Sequence, residues 1–356
     1  MKQDAEKIIN IEHANNVHID APGLFETAEK LNQAIESIPG LITSTIMLLS
    51  SKLSDPSIIA AITNNASLQN PPRGTIDVGN IVMSHWQIDR CIGKGSFSTV
   101  YEAHHVGNQY KSAIKVIHSS FQFFDINSSD ATHRVYNASE MIRMELDNMV
   151  ELRGTGYVVE YEDHESIENS DGSQDIIIRM ELLQPLPDLL RLRRLYRDEV
   201  VRLGIDICKA LEFCNKANVI HCDVKPSNIY RTKWGGYKLG DFSASTKVGE
   251  ARDPNQIGTL KYMAPEVYHG KPFSANVDTY SLGLVLYELL KANEDLAADE
   301  SALSQRISGA SLPPISSIDQ PFQSVINKAC AYNPEDRFSS PTEMLNELLK
   351  LELRSK

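Results

Sequence analysis

The apolar pattern of this chain turns from strand-like to helical near residue 183, and that change bounds the folds open to it. From about residue 77 to 183 the sequence reads as strands. Trp86-Gln87-Ile88-Asp89-Arg90-Cys91-Ile92 alternates, Thr99–Ala103 follows after a glycine turn, and Ser112–Ile117 is a further strand. A helix is predicted over about Ala138 to Leu152, and two more strands over Tyr157–Glu162 and Asp175–Glu181. From about 184 to 356 the spacing becomes helical. Asp198 is the expected N-cap of a helix with Val200, Leu203, Ile207, Leu211 and Cys214 on one stripe. Val277 to Leu290 is apolar nearly all round and is expected inside this unit, and amphipathic helices are expected near Phe322–Tyr332 and Pro341–Leu351. Five strands with one helix, joined to a larger helical unit, make an α+β chain of two lobes.

Residues 1 to 76 precede both lobes. Pro22 to Ile38 carries apolar residues at helical spacing and stops at Pro39-Gly40. Further helical stretches run from about Leu41 to Leu53 and from Pro56 to Asn64, and Asn70-Pro71-Pro72-Arg73-Gly74 reads as a linker. This mostly helical extension carries no chemical motif. Docking on the rest, dimerisation and autoinhibition all stay open for it.

The net charge of −12 argues against nucleic acid or an anionic membrane as partner. Arg191, Arg193, Arg194 and Arg197 lie close together and are read as a solvated helix face. Five scattered cysteines without paired spacing predict a reducing compartment and no disulfide framework. The start lacks the apolar core of a signal peptide, and Ile42–Leu49 is too short to span a membrane, so a cytoplasmic protein is expected.

The chemistry concentrates in His221-Cys222-Asp223-Val224-Lys225-Pro226-Ser227-Asn228, with Asp241 eighteen positions beyond Asp223 in Gly240-Asp241-Phe242-Ser243. A carboxylate to orient and accept from a hydroxyl, a lysine near transferred charge, and Asn plus Asp for Mg²⁺ are what phosphoryl transfer needs. Ile92-Gly93-Lys94-Gly95-Ser96-Phe97-Ser98-Thr99-Val100 is a Gly-rich turn between two strands. Without side chains at Gly93 and Gly95, backbone N–H groups can approach phosphates, although alone such a turn is equally a plain hairpin. Lys115, twenty positions on, is a candidate to hold the α- and β-phosphates. Glu145 is chosen over Glu140 as its partner because Met149 and Leu152 continue an apolar stripe from it.

In order, Gly93-Lys94-Gly95-Ser96-Phe97, Ala113-Ile114-Lys115, the His221–Asn228 loop, Asp241-Phe242-Ser243 and Ala264-Pro265-Glu266 resemble the protein kinase family. The resemblance runs from about residue 80 to 352, and the whole is similar to bacterial Ser/Thr kinases of the eukaryotic-like type. It implies a bilobal fold, with 77–183 as the small lobe and 184–356 as the large one. It also implies ATP and Mg²⁺ as cofactors and a protein with a Ser or Thr hydroxyl as substrate. Asp223 would accept from that hydroxyl, Lys225 would steady the γ-phosphate, and Asn228 and Asp241 would hold Mg²⁺. Ile92, Gly93, Gly95 and Ser98 would form the phosphate loop. Val100 and Ala113 would cover the adenine, Tyr230 would lie below it, and Met180 would be the gatekeeper. Backbone groups of Glu181 and Leu183 would bond the adenine edge, and Thr259 would bond Asp223 and Lys225. Glu266 would pair with Arg337, and Asp278 would brace the catalytic loop. The alternative is a pseudokinase that binds nucleotide and acts as a scaffold.

Two departures stand out. Cys222 takes the place of an arginine that would gather an activation-loop phosphate, so activity independent of that phosphate is expected, with Cys222 a buried, inert thiol. Ser243 replaces a glycine and is expected to cost some backbone freedom. His118 to Thr132, with Phe121, Phe123 and Phe124, lengthens one connection and is expected to pack on the lobe.

Overall fold

A computed structural model of the chain describes residues 76–95, 98–118, 138–168, 174–248, 258–291, 305–316 and 318–354. The helices expected within residues 1–75, Ser96 and Phe97 of the Gly-rich turn, and all but His118 of the 118–132 insertion lie outside the described residues.

The strands are β1 (Ile81–Val82), β2 (Trp86–Lys94), β3 (Ser98–His105) and β4 (Lys111–His118), followed after helix α1 (Ala138–Glu151) by β5 (Tyr161–Glu168) and β6 (Gln174–Met180). They form one sheet in the order β1-β2-β3-β4-β6-β5, with antiparallel neighbours. The period of two gives the sheet two apolar faces. Ile114, Val116 and Ile177 join Trp86, Ile88, Tyr101 and Ala103 in a small core on one side. On the other, Ile117 and Ile178 meet Ile142 and Met149 of α1 in the main core. Lys115 lies between Val100 and Ile178 in register, and Ala113 lies opposite Met180. Alternation therefore turns Ala113 and Lys115 to one face.

The expected strand at Tyr157–Glu162 is displaced to Tyr161–Glu168. The reason lies in Tyr157–Val159, whose backbone is committed elsewhere. Val159 N donates to Leu239 O at 2.9 Å, and Leu239 N to Tyr157 O at 2.9 Å. That stretch ties the small lobe to the large one instead of extending the sheet.

The rest of the chain is mainly helical. It runs through β7 (Gln184–Pro185), α2 (Leu186–Leu192), α3 (Arg197–Lys216) and β8 (Val219–Ile220). Then come β9 (Ile229–Arg231), β10 (Tyr237–Leu239), β11 (Thr246–Lys247), α4 (Pro265–Tyr268), α5 (Asn276–Leu290), α6 (Gln320–Ala329) and α7 (Pro341–Arg354). Val200, Leu203, Ile207, Leu211 and Cys214 of α3 are all buried. Of α5, all but Glu288 and Leu290 are buried, as an apolar surface on every side requires. Each fully buried Leu, Ile or Val there contributes about 1.5–3 kcal/mol.

Asp198 is not the N-cap of α3. Tyr196 occupies that position, and its N–H donates to Glu199 Oε2 at 3.1 Å. Arg193 fixes that carboxylate at 2.6 and 2.8 Å, so the glutamate three places on closes the helix start and Asp198 stays in solvent. Arg191 and Arg197 also meet carboxylates, Asp188 and Asp319.

Candidate active site

A cavity of about 420 Å³ lies between the sheet and the large lobe. Ile92, Gly93, Gly95, Ser98 and Val100 line it from β2, β3 and the turn between them, and Ala113, Lys115 and Met180 from β4 and β6. Glu181 and Leu183 border it where the chain passes between lobes. Tyr230, Lys225, Asn228 and Asp241 line it from the large lobe, and Glu145 from α1. Asp223 and Thr259 are not lining residues. Both are joined to the cavity through Lys225.

Lys115 is the electrostatic centre. Its Nζ donates to Glu145 Oε1 at 2.5 Å and to Asp241 Oδ1 at 3.0 Å. Lys115 and Glu145 are buried, at 6% and 4% exposure. Burial opposes the Lys115 charge, but the two carboxylates outweigh it and hold the ammonium firmly protonated. Burial likewise acts against ionised Asp241, and the Lys115 charge overcomes it, keeping this carboxyl well below the usual range. The Ser243 side chain beside it also helps to keep the Asp241 carboxyl low. Glu145 shares Lys115 with a second carboxylate, so burial prevails there and its carboxyl is raised.

Asp223 sits in a closed set of contacts. Thr259 Oγ1 donates to its Oδ1 at 2.9 Å, and Lys225 Nζ lies 2.7 Å from its Oδ2. Lys225 also donates to Thr259 Oγ1 at 2.8 Å. Asn228 Nδ2 donates to Asp223 O at 3.0 Å and to Oδ2 at 3.1 Å. The carboxylate therefore has one orientation.

Gly258 makes Thr259's position attainable. It has φ +63°, and a Cβ there would lie 2.3 Å from the Cys222 carbonyl oxygen. No residue with a side chain fits. A Cβ at Gly240 would lie 2.6 Å from Val159 Cγ2 and 3.1 Å from the Tyr230 ring, so this glycine closes the cavity floor. Burial pushes the Tyr230 hydroxyl up to about 12.

Cys222 and Asp241 both have φ +63°, a region that costs non-glycine residues about 1–3 kcal/mol. The surroundings hold both. Asp278 accepts from the N–H groups of His221 and Cys222, each at 2.8 Å. His221 Nε2 is 3.1 Å from Gly240 O, and Asp223 N donates to its Nδ1 at 3.3 Å, which assigns the proton to Nε2. The same ring meets Phe242 edge-on, 4.9 Å between centroids. Cys222 is half-buried rather than buried, and its S–H donates to Ile220 O at 3.6 Å. Ser243 does not have positive φ, so the missing glycine causes no strain here.

Several residues escaped the sequence reading. Val159 lines the cavity from the stretch whose composition predicts a strand, and Ser227 lines it from the loop between Lys225 and Asn228. Asp188 and Arg191, paired at 2.6 Å, stand at its edge, and their three-residue spacing on a helix was the available signal. The Glu181 carboxylate is drawn off by Lys238 and by Glu160 N, and Glu181 N donates to Glu160 O at 3.1 Å.

This constellation has counterparts in known proteins. Residues 86–349 match the protein kinase domain. The chain belongs to the protein kinase family. It is 32% identical over 162 residues to the serine/threonine-protein kinase PknB of Mycobacterium leprae, covering 43% of this chain and 26% of that protein. To a probable serine/threonine-protein kinase of Clostridium perfringens it is 25% identical over 284 residues, 77% of this chain and 39% of that one. To mouse Aurora kinase C it is 28% identical over 264 residues, 73% of this chain and 90% of that one. The chain thus spans well under half the length of these two bacterial kinases. Among the described residues no helix is long and apolar enough to cross a membrane.

Proposed function

We propose that the chain is an ATP-dependent serine/threonine protein kinase. One observation carries this reading: Lys115 joins Glu145 and Asp241 on the same cavity that Lys225 links to Asp223 and Thr259. Val100 and Ala113 would cover the adenine and Tyr230 would support it. With the Glu181 N–H already engaged, its carbonyl and the Leu183 backbone are the groups for the adenine edge.

The donor set fits Mg²⁺. Asn228 Nδ2 is committed to Asp223, which leaves its Oδ1 for a cation, and Asp241 has Oδ2 beyond the atom on Lys115. Both are hard oxygen donors, too few for a cage without phosphate oxygens, as Mg²⁺ sites in such proteins require. When bound, the ion supplies charge neutralisation between the phosphates. Asp223 takes the proton of the substrate hydroxyl as that oxygen bonds to the γ-phosphorus and the bond to the β-phosphate oxygen breaks. Lys225 offsets charge on the transferred group, and Thr259 holds both residues in place.

The test is incubation of the full chain with γ-labelled ATP, Mg²⁺ and a serine/threonine-rich protein, beside Asp223→Ala. Label on protein with the native chain and none with the variant is expected. Equal label on both contradicts the reading.

Activity independent of activation-loop phosphate belongs to the same proposal, because Cys222 offers no cation to gather one. The dephosphorylated chain is expected to keep its rate. A gain above about tenfold, some 1.4 kcal/mol, on phosphorylation between residues 241 and 266 would count against it. The division at about residues 76 and 183, a cytoplasmic site of action, and a dimerising or autoinhibitory role for residues 1–76 complete the proposal. Removing the extension and measuring rate and solution mass bears on the last.

A further inference from the structure

Helix α1 carries Glu145, Asn148 and Glu151 at intervals of three, along one face. Each reaches a group outside the helix. Glu145 meets Lys115, which also holds Asp241. Asn148 Nδ2 donates to Ser245 Oγ at 2.9 Å, and Lys247 Nζ donates to Glu151 Oε2 at 3.2 Å. The three contacts lay the helix against residues 241–247.

They are not equivalent. The Lys247–Glu151 pair is open to solvent, with side chains 36% and 50% exposed, and such pairs contribute little. Asn148 and Ser245 are each 1% exposed. The Ser245 hydroxyl, accepting from Asn148, donates in turn to Phe242 O at 2.5 Å. A relay therefore runs from the helix through a hydroxyl to the carbonyl next to Asp241, and dry surroundings strengthen each bond. Asn148 Oδ1 has no partner among the described residues. An apolar side chain would avoid that cost, so the amide acts here only through Nδ2.

We propose that Asn148 and Ser245 are positioning residues that latch α1, and with it Glu145, to the Phe242 turn. The latch keeps Lys115, Glu145 and Asp241 assembled without phosphate on the loop that follows, a role that rests on the kinase reading. Shifting the helix outward breaks the Asn148–Ser245 bond between two buried side chains. It also separates Glu145 from Lys115.

The test uses the full chain with Asn148→Ala, Ser245→Ala and the double variant. Hydrogen exchange in α1 is the first readout and the rate of phosphoryl transfer the second. Each single change should speed exchange at residues 142–151 and lower the transfer rate, both by about tenfold, with exchange in α5 unchanged. The double variant should match either single one, because one relay is broken only once. Effects that multiply, or unchanged exchange in α1, overturn the latch. If Ser245→Ala loosens the whole protein, Ser245→Cys keeps the volume with a weaker donor and carries the same comparison. A native chain that transfers no phosphate defeats the proposed function, while exchange in α1 still decides the latch.

Discussion

Asp223→Asn should lower the rate of phosphoryl transfer about 10³-fold, within the range of about 10²–10⁴ that a positioned general base contributes. The amide keeps the shape of the carboxylate, and its oxygen can still accept from Thr259, now 2.9 Å from Oδ1. Its NH₂ then faces the Lys225 and Asn228 donors, so some loosening of the loop accompanies the loss of the proton acceptor. Asp223 does not line the nucleotide cavity, so ATP affinity should change little. Steady-state rates over an ATP titration, beside a melting curve, separate the two effects. A fall in affinity with the rate preserved would place Asp223 in binding.

Arg337→Ala should produce the largest loss of stability, about 3–5 kcal/mol, the usual cost of leaving one buried charge unpaired. The guanidinium is fully buried in its pair, donating to Glu266 at 2.6 and 2.7 Å. It also donates to the carbonyls of Ala331 at 2.7 Å and Tyr332 at 2.9 Å, and lies 4.6 Å from the Tyr280 ring centre. Alanine removes all of these and leaves Glu266, 5% exposed, without a cation. The melting temperature should fall by roughly ten degrees, at about 2–4 °C per kcal/mol for a unit of this size. Arg337→Lys should rescue little, because a single ammonium cannot reproduce the fork to Glu266 and reach both carbonyls. Urea unfolding gives the free energy directly. A loss below 1 kcal/mol would mean that the pair is no more than a surface contact.

Much of the site was legible because its residues recur at motif spacing. Glu145 needed physical reasoning: the stripe through Met149 and Leu152 turned it inward, and Lys115 meets it there. What stayed hidden depends on pairings that no periodicity encodes. Tyr157–Val159 has strand-like composition, but its hydrogen bonds go to Leu239, eighty positions away from Val159. Asp198 is a good cap by residue type, yet Arg193 makes Glu199 the better one. Asn148 and Ser245 are 97 residues apart and unremarkable in isolation. The buried side of α5 was readable because every face is apolar, whereas the position of Thr259 hinges on one glycine against the Cys222 carbonyl.

In the proposed kinase Lys115, Asn228 and Asp241 border one nucleotide and its metal, and Lys225 joins Asp223 to them. Nucleotide affinity with and without Mg²⁺, measured in the native chain and in Asp241→Asn, decides whether they do. Asp241 is held ionised beside Lys115, so the native chain should bind ATP more tightly when Mg²⁺ is present. Asp241→Asn should lose most of that gain while still binding the nucleotide. An equal Mg²⁺ effect in both proteins would contradict the claim.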